Sequence, residues 1–185
     1  MEWHQGNPDI IHDAALSAAA YSGVQEVNGW QKDIDLSNEN RAVYHKQGKA
    51  KVVFRGTNPK NLRDLGTDAL IGLGLQDKST RFKNAVKTTD LAIAKYGKEN
   101  VSLTGHSLGG SQAAYVSRKR GLKATGFNAA WSKIDEMRNR TYSHFHAIQT
   151  TSDPISNRTS KIKRIDKKTW VQSKKWNPHA LSNYM

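Results

Sequence analysis

A serine flanked by two glycines, Gly105-His106-Ser107-Leu108-Gly109, stands between a strand-like and a helix-like stretch. Val101 to Thr104 alternate apolar and polar residues, and Gly110 to Arg120 carry Ala113, Ala114 and Val116. Strand, sharp turn and helix in that order form a nucleophile elbow. Bulky neighbours would collide in such a turn, and Gly105 and Gly109 supply the missing side chains. Ser107 is expected at the tip with its hydroxyl exposed. The positive end of the following helix lies behind it and favours developing negative charge. The chemistry is nucleophilic attack on an acyl carbonyl. A bare G-x-S-x-G also occurs in ordinary turns, so the rest of the chain must supply a base and an acid.

In α/β-hydrolases those partners follow the serine in the order acid, then histidine. His4, His12 and His45 precede Ser107 and are disfavoured as the base. His106 is its immediate neighbour, and adjacent side chains in a tight turn point apart. His144 and His146 flank Phe145 at the start of a predicted strand. Active sites of open α/β sheets lie at the other end, so these two read as structural. His179 falls in a loop after the last predicted strand, where the base is expected. Asp135, Glu136, Asp153 and Asp166 lie between Ser107 and His179. Asp153 follows the predicted strand Phe145–Gln149 and precedes Pro154, which stiffens its loop. Asp135 and Glu136 fall in a polar helix-like piece and Asp166 in a basic run. Asp153 is the acid that geometry favours.

The elements that must position these residues alternate. Ile10–Tyr21 is alanine-rich with helical spacing and stops at Gly23. Trp30 to Asn40 reads as polar and loop-like. Arg41–Arg55 reads as a hairpin turning at Gln47-Gly48-Lys49. Arg55-Gly56-Thr57 then forms a small-residue corner, which serves either as a simple turn or to point backbone N–H groups into a site. Residues 58–75 mix Ala69-Leu70-Ile71 and Leu73 with Gly66, Gly72 and Gly74. They read as a glycine-hinged lid or equally as a plain core segment. Thr80–Tyr96 is an amphipathic helix. Strands are expected at Leu122–Ala129, Phe145–Gln149 and Ile162–Ile165, a polar helix at Ser132–Arg140, and a turn with a short helix after Trp176. This alternation predicts an α/β fold with a mostly parallel central sheet flanked by helices.

The 185 residues suit one domain, taken as 1–185. With no cysteine, disulfides, thiolate metal sites and cysteine nucleophiles are excluded. Lys plus Arg number 29 against 16 acidic residues, a net charge of +13 that attracts anionic phospholipid or nucleic acid. No helix-turn-helix, zinc-finger or RNA-binding signature accompanies the basic runs, so nucleic acid is the less favoured partner. No apolar stretch is long enough to span a membrane, and no signal peptide is seen, since Asp13 interrupts the first apolar run. A soluble protein, or one peripheral to a membrane, is expected.

These residues resemble the class 3, fungal-type lipases and their phospholipase and feruloyl-esterase relatives. Val52–Thr57 (V-V-F-R-G-T) is similar to that family's oxyanion strand, and Asp64–Leu70 to its D-W-x-x-D-L stretch, with Leu65 in place of tryptophan. Thr104–Gly110 has its elbow form, Thr151–Ser156 resembles its acid loop, and His179 close before Tyr184 resembles its ending. The first helix, ending in Tyr21, also fits. Phe127-Asn128-Ala129-Ala130 departs from a usual glycine-proline pair, and the chain is short for the family.

The resemblance implies a compact α/β-hydrolase with Ser107, Asp153 and His179 as triad. It implies backbone N–H donors of Thr57 and Leu108 as oxyanion hole, and lid or substrate contacts at Leu65, Leu70 and Ile71. No metal or cofactor is implied. The expected activity is cleavage of lipid acyl esters, of lipase or phospholipase A type. The alternatives are a soluble carboxylesterase or acyltransferase, and a non-catalytic basic module binding anionic membrane or nucleic acid.

Overall fold

Eight strands lie side by side in chain order: β1 (Glu26–Val27), β2 (Trp30–Asn38), β3 (Arg41–Lys46), β4 (Lys49–Phe54), β5 (Val101–His106), β6 (Ala124–Phe127), β7 (Tyr142–Thr150) and β8 (Ile165–Val171). This computed structural model describes residues 7–57, 79–173 and 179–185. Strands β1 to β4 form an antiparallel meander, and β4 to β8 run parallel. Because direction changes at β4, the carboxyl ends of β4 to β7 share one edge. The corner after β4, the elbow after β5 and the loop after β7 therefore emerge together, as the crevice rule for parallel sheets requires.

Local sequence explains most elements. Gln47 and Gly48 both take positive φ, 49° and 77°, and close the β3–β4 hairpin in two residues. Helix α1 (Pro8–Ser22) starts with Pro8 at its first turn and with the Asn7 side chain accepting the Asp9 N–H. It ends at Gly23, which is left-handed at φ 72°. Helices α2 (Thr80–Tyr96), α3 (Leu108–Arg120) and α4 (Lys133–Arg138) are the other α-helices among the described residues. Along β4, Val52 and Phe54 pack with α2 and α3, while Val53 packs with Leu16 and Ala19 of α1. That alternation sandwiches the sheet between helices. Each fully buried side chain of this size contributes about 1.5–3 kcal/mol. Every residue from Gly109 to Ser117 is buried, so α3 is central and presents no face to solvent over that stretch.

Two stretches differ from the sequence reading. Trp30–Asn38 is a strand, not a loop. Its inward position Asp33 is charged, which hides the alternation. The Asp33 carboxylate is held by Lys95 Nζ at 2.7 Å and Tyr96 Oη at 2.6 Å, tying β2 to α2. A register irregularity between Asp33 and Asn38 blurs the period further. The strand expected at Ile162–Ile165 instead occupies Ile165–Val171. It lies at the sheet edge and is rich in lysine there, a composition that discourages further pairing. The lid residues Leu65, Leu70 and Ile71 lie outside the described residues.

Among the described residues no helix is long and apolar enough to cross a membrane. An open depression of about 930 Å³ lies at the amino ends of the parallel strands, lined by Lys51, Ser102, Thr125, His144 and His146. It sits at the opposite end of the sheet from Ser107. Within it Asp13 of α1 is buried and paired with Lys51.

Candidate active site

Ser107 adopts φ 58° and ψ −124°, a conformation that side-chain-bearing residues avoid. Strain of this kind costs about 1–3 kcal/mol and persists only where the surroundings enforce it. Here the Ser107 N–H donates to the Phe127 carbonyl at 2.9 Å, and the Ser107 carbonyl accepts from Ala130 at 3.2 Å and Ser111 at 3.3 Å. The flanking glycines are required by close approach. A Cβ on Gly109 would overlap the Phe54 carbonyl, and one on Gly105 would overlap the backbone of Gly109. The serine is not at an open tip: only 1% of it is exposed. The β4 corner closes over it, bringing Gly56 so near that a Cβ there would stand 3.2 Å from the Ser107 Cβ.

Asp153 and His179 meet at the same edge. His179 Nδ1 lies 3.0 Å from Asp153 Oδ2, and both residues are buried. An ionised carboxylate only accepts, so Nδ1 carries the proton and Nε2 is the basic nitrogen. Burial alone would raise the Asp153 pKa, but the His179 contact, the Ser156 side chain and the Ile155 N–H group outweigh it and hold the carboxyl below its usual value. The Ser156 and Ile155 N–H groups donate to it at 3.0 and 3.2 Å. Asp153 is thus ionised and fixed by its own loop.

That loop is anchored by a residue the sequence reading noted only as a departure. Asn128 follows β6 with φ 44°, in the left-handed region that asparagine tolerates. Its Oδ1 accepts from Thr150 N–H at 2.9 Å, Ser156 Oγ at 3.3 Å and Tyr184 Oη at 2.7 Å. One carboxamide oxygen joins the ends of β6 and β7, the acid loop and the C-terminal segment. An asparagine directly after a short strand was the available signal.

A second network was missed as well. Tyr21 Oη receives the Gly56 N–H at 3.1 Å and lies 3.1 Å from His106 Nδ1. His106 Nε2 lies 2.7 Å from the His179 carbonyl, which can only accept. The donors therefore run Gly56 N–H to Tyr21, Tyr21 O–H to His106 Nδ1, and His106 Nε2–H to His179. His106 points away from a role as base, as the sequence implies, yet it braces the loop that carries His179. Their rings lie 4.6 Å apart.

Burial, reinforced by the neighbouring His179 ring, pushes the His106 pKa down to about 3, and burial pushes His146 down to about 4. Both stay neutral in the folded chain while the unfolded chain takes up protons below about 6.5. Stability therefore falls as pH drops from 6.5 toward 3, by up to about 1.4 kcal/mol per pH unit for His106. We expect the imidazole NMR signals of both histidines to keep neutral-form shifts at pH 5. A midpoint near 6.5 for either would contradict its burial.

The corner Arg55-Gly56-Thr57 is held from two sides. Tyr21 takes the Gly56 N–H, and Arg81 Nη2 donates to the carbonyls of Arg55 at 2.6 Å and Gly56 at 3.4 Å. Thr57, the next residue, is partly exposed, and Leu108 opens α3 directly after the serine. Their backbone N–H groups are the candidate oxyanion donors.

The remaining candidates lie elsewhere. Asp135 forms a capping box with Ser132 at the start of α4. Glu136 pairs with Arg158, and Asp166 is exposed on β8. His144 is exposed, and His146 Nε2 lies 2.8 Å from Thr169 Oγ1 at the far end of the sheet. His45 stacks on Tyr96, His12 is half-buried on α1, and His4 lies outside the described residues. Among the described residues no group of three or more histidine, aspartate or glutamate side chains is disposed to hold a metal ion.

Solved structures share this architecture. The native propeptide complex of Rhizomucor miehei lipase matches with a TM-score of 0.62 at 13% identity, over 93% of this chain and 70% of that one. A mutant form of MDLA from Penicillium cyclopium matches with a TM-score of 0.57 at 15% identity, over 95% of this chain and 82% of that one. At such identities the likeness is one of fold, the α/β-hydrolase type expected from the elbow. No curated protein sequence matches the chain. A family model, the Tle-like phospholipase domain, matches residues 12–159, from α1 through the elbow to the acid loop. On that match the chain belongs to the Tle-like phospholipase domain family.

Proposed function

We propose that this chain hydrolyses an acyl ester of a lipid through an acyl-enzyme on Ser107. The observation that carries the proposal is the buried Asp153–His179 hydrogen bond at the sheet edge where Ser107 is held in its strained turn. His179 Nε2 takes the Ser107 hydroxyl proton as Oγ attacks the acyl carbonyl. The oxyanion forms toward the Thr57 and Leu108 N–H groups, each donor of this kind contributing about 3–4 kcal/mol in the transition state. His179 then protonates the leaving alcohol. Water, deprotonated by His179 in turn, releases the acid and restores Ser107. Asp153 keeps His179 in the tautomer that this sequence needs. Since Thr57, Ser107 and Asp153 all follow strands of one sheet, we read 1–185 as a single catalytic domain.

A panel of short acyl esters, triacylglycerols and phospholipids incubated with purified protein tests this. Release of free fatty acid from glycerolipids is expected. Cleavage of short soluble esters alone would move the reading to a carboxylesterase, and transfer to an added alcohol in preference to water would make it an acyltransferase. A protein inert on the whole panel would be a non-catalytic basic module.

The net charge of +13 adds an expectation about where the enzyme works. Each lysine or arginine near an anionic membrane contributes about 1 kcal/mol, screened over a Debye length of about 10 Å at 0.1 M salt. Turnover and sedimentation should be greater with vesicles containing anionic phospholipid than with neutral ones at low salt. High salt should erase the difference. Hydrolysis of a small soluble ester should hardly change over the same range. Equal binding to both vesicle types at low salt would assign the charge another purpose.

A further inference from the structure

Three arginines converge beside the corner that precedes Thr57. Arg41 begins β3 and pairs across to Phe54, the last residue of β4. Arg55 follows that residue and lies over the Tyr21 ring, 5.4 Å from its centroid. Arg81 enters from the first turn of α2 and bonds the Arg55 and Gly56 carbonyls. The positive charges of Arg41 and Arg55 act on Arg81, which burial already disfavours in its charged form. Among the described residues none of the three forms an ion pair with a carboxylate. Their side-chain hydrogen bonds go to backbone carbonyls, including Glu39 from Arg55 at 3.2 Å. Among the described residues the buried Nε atoms of Arg41 and Arg81 find no hydrogen-bond partner.

Such an arrangement is unfavourable as pure architecture. Like charges repel, and a guanidinium withdrawn from water needs a counter-charge or a full set of acceptors. An arginine that only braced a corner would need one cation there, not three. Guanidinium forks match phosphate oxygens in two-pronged hydrogen bonds, and a bound phosphate would answer both the charge and the empty donors. The cluster lies at the catalytic edge of the sheet, with Arg55 two residues before the proposed oxyanion donor Thr57.

We infer that Arg41, Arg55 and Arg81 form a subsite for the phosphodiester of a glycerophospholipid whose acyl ester is presented to Ser107. This rests on the ester-hydrolase reading and deepens it by assigning the headgroup side of the substrate. In a glycerophospholipid the phosphate is joined to the glycerol that carries the esters, so both groups can occupy one edge of the sheet.

The test compares short-chain phosphatidylcholine with diacylglycerol of the same acyl chains. The former has no net charge, so phosphate recognition is separated from general attraction to anionic surfaces. Wild type should favour the phospholipid in kcat/KM. Arg41→Gln and Arg81→Gln should each lower that preference about 10- to 100-fold, the range of a charge-assisted hydrogen bond. Arg41→Lys keeps the charge but loses the fork and should fall between, which controls for misfolding. Glycerol 3-phosphate should compete with a soluble ester in wild type where glycerol does not, and compete less in Arg41→Gln. A preference unchanged in all three variants would overturn this inference and leave ester hydrolysis standing. Competition by glycerol 3-phosphate with no phospholipid preference would assign the cluster to free phosphate and also overturn it. A wild type inert on both lipids and on the soluble ester would overturn the underlying reading as well.

Discussion

Ser107→Ala is expected to lower acyl-ester turnover by about six orders of magnitude, the loss seen when a triad nucleophile is removed elsewhere. Labelling by a fluorophosphonate probe should vanish with it, because the probe is attacked by the same oxygen. The fold should persist. The serine backbone is held by Phe127, Ala130 and Ser111, and none of those bonds uses the side chain that is lost. The 1% exposure of the residue also means that Oγ is a small part of a packed surface, and alanine fits the space without overpacking. A mutant that still carries the label would sink the assignment, since no other serine would then be excluded as the nucleophile. Circular dichroism alongside the assay separates loss of chemistry from loss of structure.

Asp153→Asn should lower kcat by about four orders of magnitude, the effect of placing a neutral amide behind a catalytic histidine. The amide can present an N–H where the carboxylate accepted the His179 proton, and the imidazole then adopts the other tautomer with no basic Nε2. The backbone donors Ile155 and Ser156 lose part of their acceptor as well, so a modest drop in stability accompanies the kinetic loss. Asp135→Asn is the contrast. Asp135 is equally buried, but its Oδ2 accepts from Ser132 N–H at 2.9 Å and Ser132 Oγ at 2.7 Å at the start of a short helix. Removing half of a capping box costs about 1 kcal/mol of stability and should leave kcat near wild type. If the two substitutions exchanged roles, the acid would have been placed on the wrong element.

What could be read from the sequence followed from how local each signal is. Helix Thr80–Tyr96 was legible to both its ends, because its apolar period and its stop at Gly97 lie within the segment. The elbow was legible because overlap with Phe54 and Gly109 leaves glycine little alternative at two fixed offsets from the serine. Asp153 and His179 were reached through chain order and strand ends, which the parallel sheet respects. Tyr21 was not given its place, since its partner His106 is 85 residues away and nothing near either residue announces the other. Strand β2 was lost because its inward-facing Asp33 looks like a surface residue until Lys95 and Tyr96 arrive from α2. Asn128 looked like a departure from a glycine-proline pattern, yet three donors from three segments converge on it. Convergence of that kind is a property of tertiary contact, invisible to any window of sequence.

The strands stand in space in the order in which a ribosome makes them, β1 to β8. Each emerging strand finds its neighbour already in place, so the sheet can grow from one edge during synthesis. The site parts follow the same calendar: the corner after β4, the serine after β5, the acid after β7, and His179 beyond β8. A nascent chain can therefore hold a nearly whole sheet, with Ser107 strained, while His179, the proposed base, has yet to be made. On the proposed chemistry, a chain able to attack lipid esters stays harmless to the membranes around it until the segment that carries His179 has left the ribosome.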